Sequence, residues 1–354
     1  MSGQRAAQFD GRARKFGTRS MVTFLKQTAM AATMILAPVQ AVTVLVYLTG
    51  RWVGSTHWVF DASAYILPWM LAPAVLLLPG AMWRRSTFLL GACALPLTLF
   101  GLTYLPLYLP QVVPEVGESF TIMTYNVLGN DRDHESALES ILELDPDVIA
   151  LQEITEGFAL ELEAKLGPRY PYRRLETATG SQGLLSRFPI ETYQVFELGD
   201  PARPMRVQYA EVGVMGRLLG ILNAHTHSPG FVRQGVARSL NLPPGLIRKR
   251  RDWDMRELLQ AIEPLASPLI LAGDLNISDQ HDWHKRVSER FGDAHREAGW
   301  GMGFTRTPLL GSDFPMWRID FVFYTSEIVA LSTTLGEFGG SDHRPLMAEL
   351  AFRE

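Results

Sequence analysis

Hydrophobic and polar positions change their rhythm along this chain. Thr28–Thr49, Ala62–Met82 and Thr87–Leu109 are apolar stretches without one charged side chain. Each has the roughly 20 residues that a helix needs to cross a bilayer core. Pro38, Pro68, Pro73, Pro96 and Pro106 would kink soluble helices but are tolerated in membrane spans. The alternative, buried helices of a soluble core, is disfavoured by three such stretches in close succession. Gln111–Glu118, with Pro114 and Gly117, reads as a short linker, and beyond it the apolar runs shorten.

From there the pattern predicts strands and helices in turn. Phe120–Val127 is a β-rich run ending near Asn126, with a turn at Gly129-Asn130-Asp131. Ala137, Leu138, Ile141 and Leu142 have helical spacing, so a helix is expected over Ser136–Leu144, stopped by Asp145-Pro146-Asp147. Val148–Glu153 reads as a buried strand and Thr155–Leu166 as a helix. Gly183–Arg187, Thr192–Leu198, Arg206–Val214 and Leu218–His225 read as strands, and Asp252–Ile262 as a helix. Pro268–Asn276 begins as an apolar strand and ends in Gly273-Asp274-Leu275-Asn276. Arg318–Tyr324 alternates, and Ser341–Pro345 precedes a last strand, Leu346–Leu350. Strands with helices between them predict α/β layering.

Strand after strand finishes on a polar group: Asn126, Glu153, His225, Asp274 with Asn276. Asp342 and His343 precede the last strand. Polar groups collected at strand ends make a cleft, whereas scattered through a core they would be costly. In an extended chain Asp274 and Asn276, two apart, share a face. The plain alternative for that segment is an Asx-rich turn.

Charge divides the 354 residues into two regions. Residues 1–114 carry nine Lys and Arg against two Asp and Glu, a net +7; residues 115–354 carry 24 against 35, a net −11. An acidic region of that size argues against indiscriminate nucleic-acid binding, which needs a positive field. Cys93 is the single cysteine, so no intrachain disulfide and no Cys-based metal site is available. Arg5, Arg12, Arg14, Lys15, Arg19 and Lys26 precede the first apolar stretch, Arg51 alone follows it as a base, and Arg84-Arg85 follow the second. The positive-inside rule then keeps the N-terminus in the cytoplasm and puts everything after the third span outside. The expected organisation is a basic cytoplasmic leader (1–27), three transmembrane helices (28–110), a linker (111–118) and an extracytoplasmic domain (119–354) on a bacterial-type plasma membrane.

The ordered set Thr124-Tyr125-Asn126, Leu151-Gln152-Glu153, Asn223-Ala224-His225, Gly273–Asn276, Arg318-Ile319-Asp320 and Ser341-Asp342-His343 resembles the endonuclease/exonuclease/phosphatase superfamily, the DNase I-like fold. The resemblance covers about residues 118–354. It implies a four-layer αββα sandwich with the site at one edge of two packed sheets. The anchored arrangement also looks like bacterial membrane-bound members.

In-line attack of water on a phosphorus ester needs a cation on the phosphoryl oxygens, a base and donors for developing charge. Glu153 and Asn126 are the expected ligands for Mg²⁺, with Mn²⁺ able to substitute, and Asp342 completes the shell. His343 is the expected general base, and the resemblance places Asp320 beside it to fix its tautomer. Asp274 orients or helps deprotonate the water, Asn276 holds a phosphate oxygen, and His225 donates to the phosphoryl group. For His227 a structural hydrogen bond is expected. Arg248, Lys249, Arg250 and Arg251 form the one dense basic run of the acidic region. They are either a solvated helix entrance or a clamp for an anionic substrate or lipid head group. The apolar loop Leu240–Ile247 precedes them. The resulting expectation is a membrane-anchored, Mg²⁺-dependent phosphohydrolase or phosphodiesterase, with a lipid-linked phosphate or diphosphate favoured over nucleic acid. An extracytoplasmic nuclease and a catalytically inactive membrane-bound binding module are the alternatives. A channel or transporter is disfavoured because the spans carry no charges.

Overall fold

The computed structural model describes residues 3–54, 58–111, 116–129, 133–177, 181–228, 244–307 and 314–353; for 3–22, 24–26, 29, 58 and 244–248 it describes the backbone alone. The Asn130-Asp131 turn, half of the 111–118 linker and the first half of the Leu240–Ile247 loop lie outside the described residues. The second half of that loop begins a helix, Pro244–Ile262, rather than continuing as a loop.

The chain forms two compact units, residues 1–53 with 66–106, and residues 54–65 with 107–354. The first contains α1 (Gly3–Val53), the end of α2 (Trp58–Leu71), α3 (Pro73–Arg84) and α4 (Thr87–Tyr104). Ala37, Leu77, Ala81, Leu89, Ala92 and Cys93 form its core, where small side chains let helices approach closely. Met30–Val53 and Thr87–Tyr108 are each long and apolar enough to cross a membrane. The middle stretch instead forms two helices, Val59–Leu71 and Pro73–Arg84, bent by 50°. Pro73 opens the second of them, where its missing N–H costs nothing. Where three transmembrane helices are expected, two helices are long and apolar enough to cross a membrane, and the middle stretch is a bent pair.

The second unit is a sandwich of two six-stranded sheets. One has the order β11-β12-β1-β2-β4-β3, from Ile328–Leu335, Leu346–Phe352, Ser119–Asn126, Val148–Gln152, Gln182–Ser186 and Tyr172–Glu176. The other runs β5-β6-β7-β8-β10-β9, from Ile190–Leu198, Met205–Val214, Arg217–His225, Leu269–Asp274, Asp320–Tyr324 and Gly292–Asp293. Ile122, Val148 and Leu184 meet Ile221, Ile270 and Val322 between the sheets. Outside the first sheet lie α5 (His134–Leu144) and α6 (Glu156–Leu166), each started by a side-chain cap. Asp133 Oδ1 accepts from Ser136 N at 3.2 Å, and Thr155 Oγ1 accepts from Phe158 N at 3.1 Å. Outside the second, Met255 and Leu258 of the Pro244–Ile262 helix and Trp283 of Asp282–Val287 pack on Leu271 and Phe323. These are the four layers, α, β, β and α. Because both faces of β2, β4, β8 and β10 are covered, all four are buried throughout, which is why they read as unbroken apolar runs.

Candidate active site

Topology brings the polar strand ends together. β1 and β2 run parallel with Asn126 opposite Gln152, so Glu153 follows at the same rim. β7 and β8 are also parallel and set His225 opposite Asp274; β10, antiparallel to β8, starts with Asp320 opposite that same Asp274. One row below, Asn223 ties the sheets together. It donates to Leu151 O at 2.9 Å and to Gln208 Oε1 at 2.9 Å, and accepts from Gln152 Nε2 at 2.8 Å. Such a fully paired polar network is rigid and leaves the groups above it little freedom.

β8 does not run on through Asn276. Asn276 sits in the left-handed region at φ 47°, and its N–H donates to Asp274 Oδ1 at 2.9 Å. Asp274 and Asn276 still face one cavity, but an Asx turn brings them there rather than an extended chain. Gly273 makes the approach of β8 to β7 possible: its φ is 149°, and a Cβ there would lie 1.8 Å from Ala224 O. Glu153 also holds positive φ, at 57°, an uncommon conformation of the kind that gathers at functional sites.

The cavity has a volume of about 200 Å³, and Glu153, His225, Asp274, Asn276, Asp342 and His343 are among its lining residues. His343 Nδ1 lies 2.9 Å from Asp320 Oδ2, and its Nε2 is 3.6 Å from Asp274 Oδ2. His225 Nε2 is 3.6 Å from Asp274 Oδ2 and 3.7 Å from Glu153 Oε1. The Asn126 amide donates to Asp274 Oδ2 at 3.1 Å and to Glu153 Oε1 at 3.2 Å. Burial pushes the His343 imidazole down, but Asp320 and Asp274 outweigh it and hold its pKa up at about 9. Burial, then Asp320, pushes Asp274 above the usual carboxylate range.

Glu153, Asp274, Asp320 and Asp342 thus converge in a small, largely buried space, where Asp320 Oδ1 and Asp342 Oδ1 accept no hydrogen bond from the described residues. That donor set fits a divalent cation. Asp274, Asp320 and His343 offer ligand atoms within 4.8 Å of one another. Asn126 Oδ1 accepts from Leu128 N at 2.9 Å, so serving a cation requires its two amide atoms to exchange places. Asp342 differs from expectation: its Oδ2 accepts from Arg306 Nη2 at 2.6 Å and Nε at 3.2 Å, leaving only Oδ1 for a metal.

Arg306 is a cavity residue that the sequence pattern missed. It lies on an irregular segment whose Thr305 and Thr307 carry no periodic signal. Ser341, quoted above only as part of its motif, donates its hydroxyl to Asn126 O at 2.7 Å and accepts from His343 N at 3.0 Å, joining His343 to the end of β1. His227 makes the expected structural bond, 2.7 Å from Asp254 Oδ2, and also lines the cavity.

The basic run divides. Arg251 is a correction: it is fully buried, with Nη1 3.0 Å from Asp61 Oδ1 and Nη2 2.8 Å from Asp252 Oδ1. A long side chain with two inward carboxylate partners is spent on structure, so it forms no part of an exposed clamp. Arg250 pairs with Asp200 at 3.2 Å, Lys249 is exposed, and the side chain of Arg248 lies outside the described residues.

A family model described as Endonuclease/Exonuclease/phosphatase family matches residues 123–343. The chain belongs to this family. Its members hydrolyse phosphoester bonds, typically with a divalent metal, and this protein is a phosphoester hydrolase of the family. Among solved structures it is similar to the endonuclease/exonuclease/phosphatase from Bacteroides vulgatus, with 17% identity over 67% of this chain and 100% of the other, and a TM-score of 0.54. The Beutenbergia cavernae protein of that name gives 18% identity over 67% and 72%, and a TM-score of 0.52. D. rerio TDP2 complexed with single strand DNA product gives 17% over 66% and 100%, and 0.53. At these identities the likeness shows the fold. No curated protein matches the chain.

Proposed function

We propose that the protein is a membrane-anchored, Mg²⁺-dependent phosphohydrolase or phosphodiesterase whose sandwich lies outside the cytoplasm. The observation that carries the chemistry is the buried His343–Asp320 pair beside Asp274 and Glu153 at one open cavity. Asp320 holds a proton on Nδ1, so once the imidazole is neutral, which the raised pKa of about 9 sets toward alkaline pH, Nε2 accepts the proton of the attacking water. Asp274 orients that water, while His225 and the Asn276 amide donate to the phosphoryl oxygens. Glu153 and Asn126, with Asp342 Oδ1, would hold a divalent cation, which when bound neutralises charge on the phosphoryl group.

Segment membership supports the anchorage. Residues 66–106 leave the sandwich unit after Tyr65 and rejoin it at Leu107. An apolar excursion that starts and ends in one soluble unit crosses a bilayer an even number of times, because a single crossing would separate its ends by about 30 Å. The bent pair and the last helix supply two crossings, and α1 supplies one before them. With the basic leader inside, the sandwich is outside. Reporter fusions after Arg85 and after Glu118 test this; a cytoplasmic signal at Glu118 overturns the orientation.

For substrate, we favour a lipid-linked phosphate or diphosphate. An enzyme tethered at the bilayer meets such groups at high effective concentration, and a domain of net −11 is poorly suited to a polyanion. The burial of Arg251 and the pairing of Arg250 withdraw half of the proposed clamp, so tethering bears this argument. A nuclease is the second reading, favoured by the likeness to a protein complexed with a DNA product. The comparison is kcat/KM of the full chain in micelles on an isoprenoid diphosphate and on short single- and double-stranded DNA with Mg²⁺. A tenfold or greater preference for DNA (about 1.4 kcal/mol) decides for the nuclease.

A further inference from the structure

The first two turns of α2 belong to the sandwich unit although they begin the second apolar stretch. Tyr65 is 2% exposed, and its hydroxyl donates to Asn276 O at 2.5 Å. Its ring lies in a small apolar cluster with Ile319, the neighbour of Asp320. Arg251 Nη1 donates to the Tyr65 hydroxyl oxygen at 2.8 Å and to Asp61 Oδ1 at 3.0 Å. His281 accepts from Trp283 N at Nδ1, 3.1 Å, so Nε2 carries the proton and donates to Asp61 Oδ1 at 2.8 Å. Ser278 Oγ donates to Ala64 O at 2.9 Å. One face of this helix therefore grips residues 276–281, immediately after Asp274.

Asn276 needs such a grip. Its left-handed backbone is a sparsely populated state that persists only where its surroundings impose it. The amide is held by Thr226 O at 3.0 Å and the N–H by Asp274, and Tyr65 holds the carbonyl. We propose that Tyr65 is a positioning residue of the catalytic centre, and that Asp61 and Arg251 serve to orient its hydroxyl. The centre is complete only with residues 61–65 in place, so the first two turns of α2 are part of the enzyme's working site. This rests on the reading that Asn276 faces the substrate.

The test uses the full chain in detergent micelles with bis-p-nitrophenyl phosphate and Mg²⁺, comparing wild type, Tyr65→Phe, Asn276→Ala and the double variant. Tyr65→Phe removes one oxygen and leaves the ring packed, so the fold survives even where Asp61→Asn, which strands the buried Arg251, does not. The expected loss in kcat/KM is about tenfold for Tyr65→Phe in the wild-type background and under about twofold in the Asn276→Ala background, the signature of two residues acting as one unit. Equal losses in both backgrounds, or no loss in the first, overturn the proposal. Hydrogen exchange gives a readout that needs no turnover. Amides of residues 274–278 should exchange about tenfold faster in Tyr65→Phe, with β1 and β12 unchanged. Unchanged exchange there also overturns it. If no phosphoester is turned over by wild type, the functional reading fails while the exchange experiment still decides this one.

Discussion

His343 Nδ1 lies 2.9 Å from Asp320 Oδ2, and both side chains are almost fully shielded from solvent. The pair fixes which ring nitrogen bears the proton and therefore which one can act as a base. Asp320→Asn removes the charge that raises the His343 pKa. The acid limb of the pH profile of kcat/KM should move to lower pH, because a base with a lower pKa is neutral at lower pH. At the same time kcat should fall by about 10²–10⁴-fold as the base loses its orientation. A profile unchanged in position and height would show that the pair takes no part in the reaction.

Glu153, Asp274 and Asp342 line one small cavity, with Asp320 behind His343, and a bound divalent cation would relieve the repulsion that Arg306 and His343 only partly offset. Chelation should abolish turnover, and adding Mg²⁺ to metal-stripped protein should raise Tm through preferential binding to the folded state. Glu153→Ala should lower kcat by at least about 10²-fold, the size of a lost charge-stabilising interaction. Full activity in excess chelator would remove the metal from the mechanism.

Acid should weaken the sandwich well before its carboxylates are protonated. Burial, then Arg318, pushes His295 down to about 4, and its ring is held by Thr333 Oγ1 at 2.9 Å and Gly301 O at 3.2 Å. Its folded pKa is below the unfolded value, so between roughly pH 6.5 and 4 the unfolded chain binds the extra proton. Stability from this group is therefore lost as pH falls through that window, at up to about 1.4 kcal/mol per pH unit. The unfolding midpoint in denaturant, followed by tryptophan fluorescence at pH 7 and pH 5, should fall. In His295→Gln that fall should be smaller, and an equal fall would refute the assignment.

Gly273→Ala places a methyl group 1.8 Å from Ala224 O at a φ of 149°. Since β7 and β8 are central parallel strands, neither can move aside. The substitution should destabilise the fold by more than about 4 kcal/mol. A variant purified with wild-type yield and Tm would contradict that packing.

Much of the site could be read from the sequence because strands covered on both faces announce themselves as apolar runs and end visibly at their first polar residue. Asn126, Glu153, His225 and Asp274 are visible in this way, whereas His343, ahead of its strand, is visible through the motif it belongs to. Arg306 was not legible, since its segment has no period and its partner Asp342 is 36 residues on. β3 and β11 were also missed: Tyr172–Glu176 lies at a sheet edge with polar residues on both faces, and Ile328–Leu335 ends in half-exposed threonines. The inward turn of Arg251 was hidden for a different reason. A charge run shows its composition but not which member finds a buried carboxylate, and Asp61 lies 190 residues away.

That separation sets an order of events during synthesis. Asp61 and Tyr65 leave the ribosome long before Arg251 and Asn276 exist, by on the order of 10–40 s at 5–20 residues per second. Throughout that interval the start of α2 has neither its cationic partner nor its carbonyl acceptor. Residues 58–65 therefore wait without these partners, and the last-made part of the sandwich unit folds onto a segment synthesised some 190 residues before it.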